Sequence, residues 1–353
     1  MMKFLEKISG VKDFSIFDNN LIYLSDECKI PYLPNIDIEN VVTDKKYPGD
    51  VFIINSFLVW QDMYGKSLIY DLRSNEILFK NSKDDEVYTF RRVDLIHKNL
   101  IVANRRINGQ KELCFYDINN RSFEPVNREI QVSIDGGELM LNIDKESETL
   151  ASIDLEGKEH WSFSVSGKYV DIRGDEKQTT YMGALGTYNG ILWVWLSSGE
   201  LIGLDEKTGE LVKKIGLETS NDTQEFKFGG AMQIDANTAL LIGLWSKYYI
   251  EVDLNDVSLP VKYTDLSESL ESASMSISYR SHTFPFDSKS IYFCDDRQGK
   301  IGVFDRDKKE VIWSYELDME RDGIAQILEM KYANNRWYVL DRNDTLHIFE
   351  RIL

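Results

Sequence analysis

The 353-residue sequence contains only three cysteines, Cys28, Cys114 and Cys294, which are far apart and form no CxxC pair. This number and spacing argue against a small secreted domain held together by disulfides. Cys114 and Cys294 stand in the strand-like segments LCFYD and IYFCD, so we interpret the cysteines as buried, reduced thiols. Such usage favours a cytoplasmic protein.

Long apolar runs are also missing. The longest, Ile191–Leu196 and Ala239–Trp245, have six and seven residues, whereas a membrane-spanning helix needs about 20. The first ten residues, MMKFLEKISG, carry three charges and do not lead into an apolar stretch of signal-peptide length. We therefore expect a soluble protein that has no membrane partner and stays in the cytoplasm.

Basic side chains are scarce relative to acidic ones: 41 Lys and Arg against 59 Asp and Glu give a formal net charge of −18. This balance argues against a nucleic-acid-binding protein, which needs Lys and Arg to displace counterions from phosphates. Hydrophobic residues make up 42% of the sequence, which excludes wholesale disorder. An acidic surface attracts basic partners by electrostatic steering.

One pattern recurs along the chain: an apolar run, a turn, a second apolar run that ends in an acid, another turn and a third run. Its clearest copy is NGILWVWLSSGELIGLDEKTGELVKKI, residues 189–215. The mean spacing of the marker acids is 46.5 residues, the length of a four-stranded propeller blade. The marker acids are Asp71, Asp117, Asp154, Asp205, Asp253, Asp305 and Glu350.

The repeat predicts an all-β fold, a single β-propeller domain over residues 1–353 built from four-stranded antiparallel blades. A weaker eighth copy begins at DNNLIYL, residues 18–24, so eight blades are favoured; seven is the alternative, with residues 1–42 as an irregular segment. The last copy stops at Leu353 after its third strand. We predict that Lys3–Ile8 supplies the missing outer strand and closes the ring, which removes both free sheet edges.

The repeated Asp has a structural explanation. We predict that it starts the turn after the third strand and that its carboxylate accepts backbone N–H groups two or three residues later. Aromatic residues follow it in several copies, namely Phe79, Trp161 and Trp313. We expect these rings to wedge between neighbouring blades.

The frame D-x-x-T-G-x-x-x-W resembles the quinoprotein-type (PQQ-like) and WD40-like propeller repeats. Asp205, Thr208 and Gly209 match the frame, and Asp305 with Trp313 matches its two ends. The resemblance implies a β-propeller, a fold shared by quinone-dependent dehydrogenases and by scaffold propellers. Several of those dehydrogenases carry a vicinal Cys pair near the cofactor, and this sequence has none, so no cofactor is expected.

Motifs for catalysis are missing as well. The four histidines form no HxxxH or HExxH pair, and there is no P-loop, dinucleotide-binding glycine motif or nucleophile elbow. His282 falls on a predicted innermost strand, so it could act in the axial channel. A metal-dependent, lactonase- or lyase-like enzyme with an axial site therefore stays the alternative to a protein without catalytic activity.

Basic and aromatic residues near predicted strand ends are the candidates for binding a partner or ligand. Arg92 and Arg280 precede comparable strands and could form a positive spot for an anion, as in a small-anion sensor, or they could pair with surplus carboxylates. The aromatic candidates could be interface anchors or core residues. The candidates are Arg92, Tyr181, Phe228, Trp245, Tyr248, Arg280 and His282.

The acidic, Ser-rich segment TDLSESLESASMS, residues 264–276, is predicted to be a solvated loop rather than a short amphipathic helix. Taken together, the sequence predicts a monomeric, non-catalytic intracellular propeller that serves as a binding module or scaffold for another protein, expected to be basic. One concrete form is an acidic antidote (immunity-type) protein that neutralises a basic toxin.

Overall fold

The computed structural model describes residues 2–33, 49–81, 86–91, 99–107, 110–126, 130–134, 139–144, 148–171, 173–215, 232–245, 247–256, 258–278, 284–319 and 326–352; within them, the side chains of residues 86, 130–133, 139–140, 144 and 245 are left aside. Nearly all regular structure in these ranges is β-strand. The strands are β1 (Met2–Ser9), β2 (Val11–Phe17), β3 (Asn20–Ser25), β4 (Asp50–Ile54), β5 (Phe57–Gln61), β6 (Ser67–Asp71), β7 (Glu76–Asn81), β8 (Glu86–Phe90), β9 (Leu100–Ile107), β10 (Gln110–Asp117), β11 (Ser122–Val126), β12 (Ile130–Ile134), β13 (Leu139–Asp144), β14 (Thr149–Ile153), β15 (Glu159–Ser164), β16 (Lys168–Val170), β17 (Glu176–Gln178), β18 (Tyr181–Tyr188), β19 (Ile191–Leu196), β20 (Leu201–Asp205), β21 (Leu211–Ile215), β22 (Met232–Asp235), β23 (Leu240–Trp245), β24 (Tyr248–Asp253), β25 (Lys262–Asp265), β26 (Ser290–Asp295), β27 (Lys300–Asp305), β28 (Glu310–Glu316), β29 (Ile327–Ala333), β30 (Arg336–Asp341) and β31 (Thr345–Arg351), and the helix is α1 (Ser267–Ser272).

Seven antiparallel sheets of three or four strands form the blades of a β-propeller, which confirms the predicted fold class. In chain order, blades 1 to 7 are β4–β7, β8–β11, β12–β15, β18–β21, β22–β25, β26–β28 and β29–β31 with β1. Strands that follow one another in sequence pair with one another, and first strands of neighbouring blades, such as β12, β18 and β22, contact each other. The first strand of a four-stranded blade is therefore innermost and the last is outermost. Hydrophobic clusters between successive blades hold the ring together.

The hairpin β2–β3 corresponds to the eighth copy predicted from the sequence. Within the described residues it consists of two strands that pair only with each other. It lies between blades 7 and 1, where Ile22 and Leu24 join a core cluster with Trp60 of blade 1. The carboxylate of Asp13 on β2 accepts the N–H of Val51 on β4 at 2.8 Å. The structure therefore shows seven blades, the alternative count, with this hairpin filling the space before blade 1.

The N-terminal strand closes the ring as predicted. β1 pairs antiparallel with β31, with Lys3 opposite Glu350 and Ile8 opposite Leu346. The Phe4 ring also lies parallel to the ring of Tyr315 in blade 6, with centroids 6.3 Å apart. The outermost strand of blade 7 thus comes from the opposite end of the chain and ties the first and last residues of the ring together.

The repeated Asp starts the turn between the third and fourth strands, as expected. The carboxylate of Asp205 accepts the N–H groups of Lys207 and Thr208, and those of Asp71, Asp117, Asp253 and Asp305 accept N–H groups two or three residues later; Asp154 accepts one four residues later. The chain then passes through a left-handed residue, Gly209 with φ +70° or Lys309 with φ +60°. The same turn therefore forms at Lys309, where the frame has Gly, although a non-glycine residue costs about 1 kcal/mol there.

The three aromatic residues after the marker Asp wedge between blades, which confirms their predicted role. Trp161 of blade 3 donates its indole N–H to the carbonyl of Glu206 in blade 4 at 2.8 Å. Phe79 of blade 1 packs into the cluster of blade 2, and Trp313 of blade 6 packs against Trp337 of blade 7. These rings are therefore part of the inter-blade core.

The prediction of a solvated loop at residues 264–276 is wrong, because the chain forms the helix α1 there. Leu266 and Leu270, four residues apart, share one helix face and are buried with Met275 between blades 5 and 6. Ser269 fixes the helix to blade 6, because its hydroxyl accepts the N–H of Val311 at 2.6 Å. The burial of these apolar side chains therefore stabilises a helix here, although the acidic, Ser-rich composition is typical of a solvated loop.

The cysteines follow the prediction: Cys28, Cys114 and Cys294 are buried and form no disulfide. Burial raises the pKa of the Cys114 thiol to about 11, so this sulfur stays protonated at neutral pH.

Candidate protein-binding face

The two ends of the ring differ in the turns that they carry. We call the end with the third-to-fourth-strand turns the Asp-turn face. The other end, here the loop face, carries the second-to-third-strand turns, such as Asp62–Lys66, and the connections from one blade to the next. Because successive strands run antiparallel, every innermost strand of a four-stranded blade starts at the loop face.

Apolar exposure is highest at the loop face. Among the described residues, the three most exposed large apolar side chains are Met63 at 70%, Val170 at 68% and Leu328 at 55%. Met63 lies at the tip of the β5–β6 turn, Val170 in the connection between blades 3 and 4, and Leu328 near the start of β29. All three stand at this one end of the ring, although they come from different blades.

A repeated β-bulge explains part of this exposure. On β18, Tyr181 pairs with Leu196 and Gly183 with Trp195, so Met182 is an extra residue; on β29, Leu328 is extra in the same way. The same irregularity occurs at Lys12 on β2. Bulges re-aim side chains. Here they expose Met182 and Leu328 at the loop-face ends of the innermost strands, around the mouth of the axial channel.

Two predicted site residues have described side chains at the loop face, Tyr181 and Tyr248. Tyr181 starts β18, packs against the core between blades 3 and 4, and donates its backbone N–H to the Glu148 carboxylate at 3.3 Å. Burial raises the pKa of its hydroxyl to about 12. Tyr248 starts β24, packs between blades 4 and 5, and has the ammonium group of Lys247 5.3 Å from its ring centroid.

The other candidates lie wholly or partly outside the described residues. Arg92, Phe228, Arg280 and His282 fall in ranges that the structure leaves out, and for Trp245 only the backbone at the end of β23 is described. An axial position of Arg92, Arg280 and His282, and a role of Phe228 and Trp245 in binding a partner, stay predictions.

A buried ionic network, which no local sequence pattern indicates, joins blades 5 and 6. Arg306, after β27, donates to the Asp235 carboxylate at 2.6 Å, to the Asp287 carbonyl at 2.8 Å and to the Thr238 hydroxyl at 3.1 Å. Burial by itself would raise the pKa of Asp235, but the hydrogen bonds from Thr238 and Arg306 and the Arg306 charge outweigh it and lower that pKa. The network locks two blades together and is not open to a ligand.

A second part of the network surrounds Tyr249. Its hydroxyl donates to Glu251 at 2.6 Å, and the ammonium group of Lys309 lies 2.7 Å from the same carboxylate and 4.3 Å from the Tyr249 ring centroid. Burial and the bond to Glu251 raise the pKa of Tyr249. Tyr249 and Glu251 lie on the same strand, whereas Lys309 is 58 residues from Glu251 and reaches it only because blades 5 and 6 pack together, so no local motif indicates this group.

Two histidines have structural partners. The imidazole of His347 is buried 2.8 Å from Asp341 of the same blade, and His160 lies 3.2 Å from Asp154. In the described part of the chain, no group of three or more His, Cys, Asp or Glu side chains is arranged to hold a metal ion. Nor do the described residues include a helix long and apolar enough to cross a membrane.

No family model and no curated protein matches this sequence. Among solved structures, Sqt1 of Saccharomyces cerevisiae is similar to it with 12% identity, a TM-score of 0.54, and coverage of 86% of this chain and 84% of that one. The computationally designed Ika8 protein has 11% identity, a TM-score of 0.51, and coverage of 99% and 98%. BamB of Moraxella catarrhalis has 12% identity, a TM-score of 0.48, and coverage of 99% and 100%. The first two likenesses support the β-propeller fold and say nothing about activity.

Proposed function

We propose that this protein is a non-catalytic, intracellular propeller of the PQQ-like repeat type that binds a basic protein through its loop face. The observation that carries the proposal is the gathering of the most exposed apolar side chains, Met63, Val170 and Leu328, at that one face. Exposed apolar groups that cluster on one side of a soluble protein are typical of protein-binding surfaces, and Met is enriched in such surfaces.

The expected charge of the partner follows from the net charge of −18. In the turn after β20, backbone N–H groups lower the pKa of Asp205, so this carboxylate stays ionised at neutral pH. Burial alone would raise the pKa of Asp117, but its hydrogen bonds from Asn120 and Asn119 lower it. A negative field of this kind accelerates encounter with a positively charged protein and weakens as salt rises.

Affinity capture with matched variants tests the proposal. The loop-face variant M63S/M182S/L328S removes three exposed apolar groups from the loop face. The control I77S/V212S/I312S removes three exposed apolar groups, which are 38–47% exposed, from outermost strands of the blades. Since none of the six side chains is buried, both variants should keep the thermal midpoint of the wild type.

We expect the wild type and the control to retain one stoichiometric basic protein from lysate at low salt, and the loop-face variant to lose it. The purified partner should then bind the wild type directly, more weakly as salt rises. Absence of any stoichiometric partner, or equal retention by the loop-face variant, would contradict the proposal. In the antidote form of the proposal, the partner is a cationic toxin that loses its activity in the complex.

A further inference from the structure

A small hairpin, here called the arm and comprising residues 168–178, stands apart from the blades. Its strands β16 and β17 pair only with each other, with Lys168 opposite Gln178 and Val170 opposite Glu176. The arm lies in the connection from blade 3 to blade 4, at the loop face. It is therefore an addition to the four-stranded frame.

The base of the arm is fixed to the ring. The N–H of Thr179 donates to the carbonyl of Gly167 at 3.0 Å, and Thr179 is buried. The next residue, Thr180, exchanges hydrogen bonds with Ser197 of the β19–β20 turn: its N–H donates to the Ser197 hydroxyl at 2.8 Å, and its carbonyl accepts the Ser197 N–H at 2.9 Å. The arm therefore leaves blade 4 in a defined direction, beside Tyr181 and Met182.

Local hydrogen bonds also hold the described residues at the tip of the arm. The carboxylate of Asp171 accepts the N–H groups of Arg173 at 2.9 Å and Asp175 at 3.0 Å, and Gly174 supplies the positive φ that the turn needs. A cross-strand ion pair, Lys168 with Glu176 at 2.7 Å, supports the strands. An isolated two-stranded hairpin is at best marginally stable in water, so these local bonds preserve a shape that buries little core.

The arm presents an apolar group and an unpaired cation. Val170 is exposed, and Arg173 is exposed with no ion pair among the described residues, whereas the arm's two lysines pair with Glu176 and Asp175. Arginine is a frequent energetic centre of protein interfaces because its planar fork binds a carboxylate with two hydrogen bonds. A preformed loop also loses little entropy when it binds.

We propose that the arm is a preformed binding element whose tip, Val170 and Arg173, enters an apolar cleft with a carboxylate on the partner protein. This inference rests on the proposed function and adds the element that contacts the partner and the chemistry that receives it. The partner is basic overall, and the arm contacts a local acidic group on it.

The test replaces residues 168–178 with two glycines. The two new glycines, flanked by Gly167 and Thr179, then form a β-turn that can keep the Thr179 N–H to Gly167 carbonyl hydrogen bond. Because no described residue of the arm belongs to a blade sheet or to an inter-blade core cluster, we expect the armless variant to keep the thermal midpoint of the wild type. A clear fall in that midpoint would show that the arm is structural and would overturn the inference.

Affinity for the purified partner gives the second measurement. We expect R173E and the armless variant to bind about ten-fold more weakly or worse, and R173K to bind between them and the wild type. The control K177E reverses a charge on the same arm away from the tip and should bind as the wild type does.

The outcomes separate the two proposals. If R173E and the armless variant bind with wild-type affinity while the loop-face variant loses binding, only the inference about the arm is overturned. If the wild type captures no partner, both proposals fail.

Discussion

Replacing Arg306 with Met should destabilise the ring by about 3–5 kcal/mol, the usual cost of removing one partner from a buried ion pair. Arg306 and Asp235 have side chains only 4% and 1% exposed, 2.6 Å apart. Met fills much of the volume of the Arg stem, so the main loss is electrostatic. The Asp235 charge would stay buried without its cation, and the Asp287 carbonyl would lose its bond from the guanidinium.

Urea unfolding followed by tryptophan fluorescence and circular dichroism measures this loss, provided that the two transitions coincide. With a slope of about 3 kcal/mol per M, the midpoint should fall by about 1–1.7 M. The control R121M breaks the exposed pair with Glu76 on blades 1 and 2 and should leave the midpoint unchanged. An equally small effect of R306M would refute the reasoning.

Two further measurements identify the buried charge as the cause. The double variant D235N/R306M should be more stable than R306M, because the amide introduced by D235N keeps an acceptor for Thr238 but carries no charge. In the wild type, the lowered pKa of Asp235 contributes stability above the unfolded pKa of about 3.9, which is lost as pH falls through the folded pKa. In R306M the same pKa should rise, so the gap between R306M and the wild type should narrow as pH falls from 7 towards 4.

Three other predictions concern the ring. G190A should lower the free energy of unfolding by about 1 kcal/mol, because Gly190 has φ +74° and open space around it. G209A, at φ +70°, should cost about 1–3 kcal/mol more, because the new Cβ would lie 2.6 Å from the Trp161 ring. Equal urea midpoints of the two variants would contradict the packing of Trp161 between blades. Deleting residues 1–9 should lower the thermal midpoint and promote association, since the edge of β31 is uncovered; light scattering that shows an unchanged monomer would count against closure by β1. A metal chelator should leave the thermal midpoint unchanged, whereas a fall that added metal restores would favour the metal-dependent enzyme.

Much of the fold could be predicted because each blade is a local object. Its strands follow one another in sequence, its turns start with Asp, and residues about 46 apart occupy equivalent positions in successive blades. The structural role of Asp205 or Trp161 can therefore be predicted from a short stretch of sequence. The closing strand was also predictable, since a copy that ends at its third strand leaves one edge open. The number of blades was harder to predict, because the sequence of a hairpin such as β2–β3 resembles the first two strands of any other copy.

The candidate site could be predicted only in small part. Tyr181 and Tyr248 do stand at the loop face, but their rings pack largely against the core. The exposure of Met182 and Leu328 depends on bulges that shift the register by one residue. Gly183, next to Met182, is a residue type that often marks a bulge, but β29 contains no glycine. The acidic segment at residues 264–276 was misassigned because composition outweighed the four-residue spacing of Leu266 and Leu270.

The sequence alone determined the repeat, the strands and turns of each blade and the wedge aromatics, because these depend on neighbours within a few dozen residues. It also predicted the closure of the ring, because the last copy lacks a fourth strand, although β1 and β31 lie at opposite ends of the chain. Only the tertiary structure decided which side chains meet across blades and which stay exposed. Arg306 and Asp235 are 71 residues apart, and Met63, Val170 and Leu328 come from three different parts of the chain. Their positions depend on how whole blades pack around the axis, which no local pattern encodes.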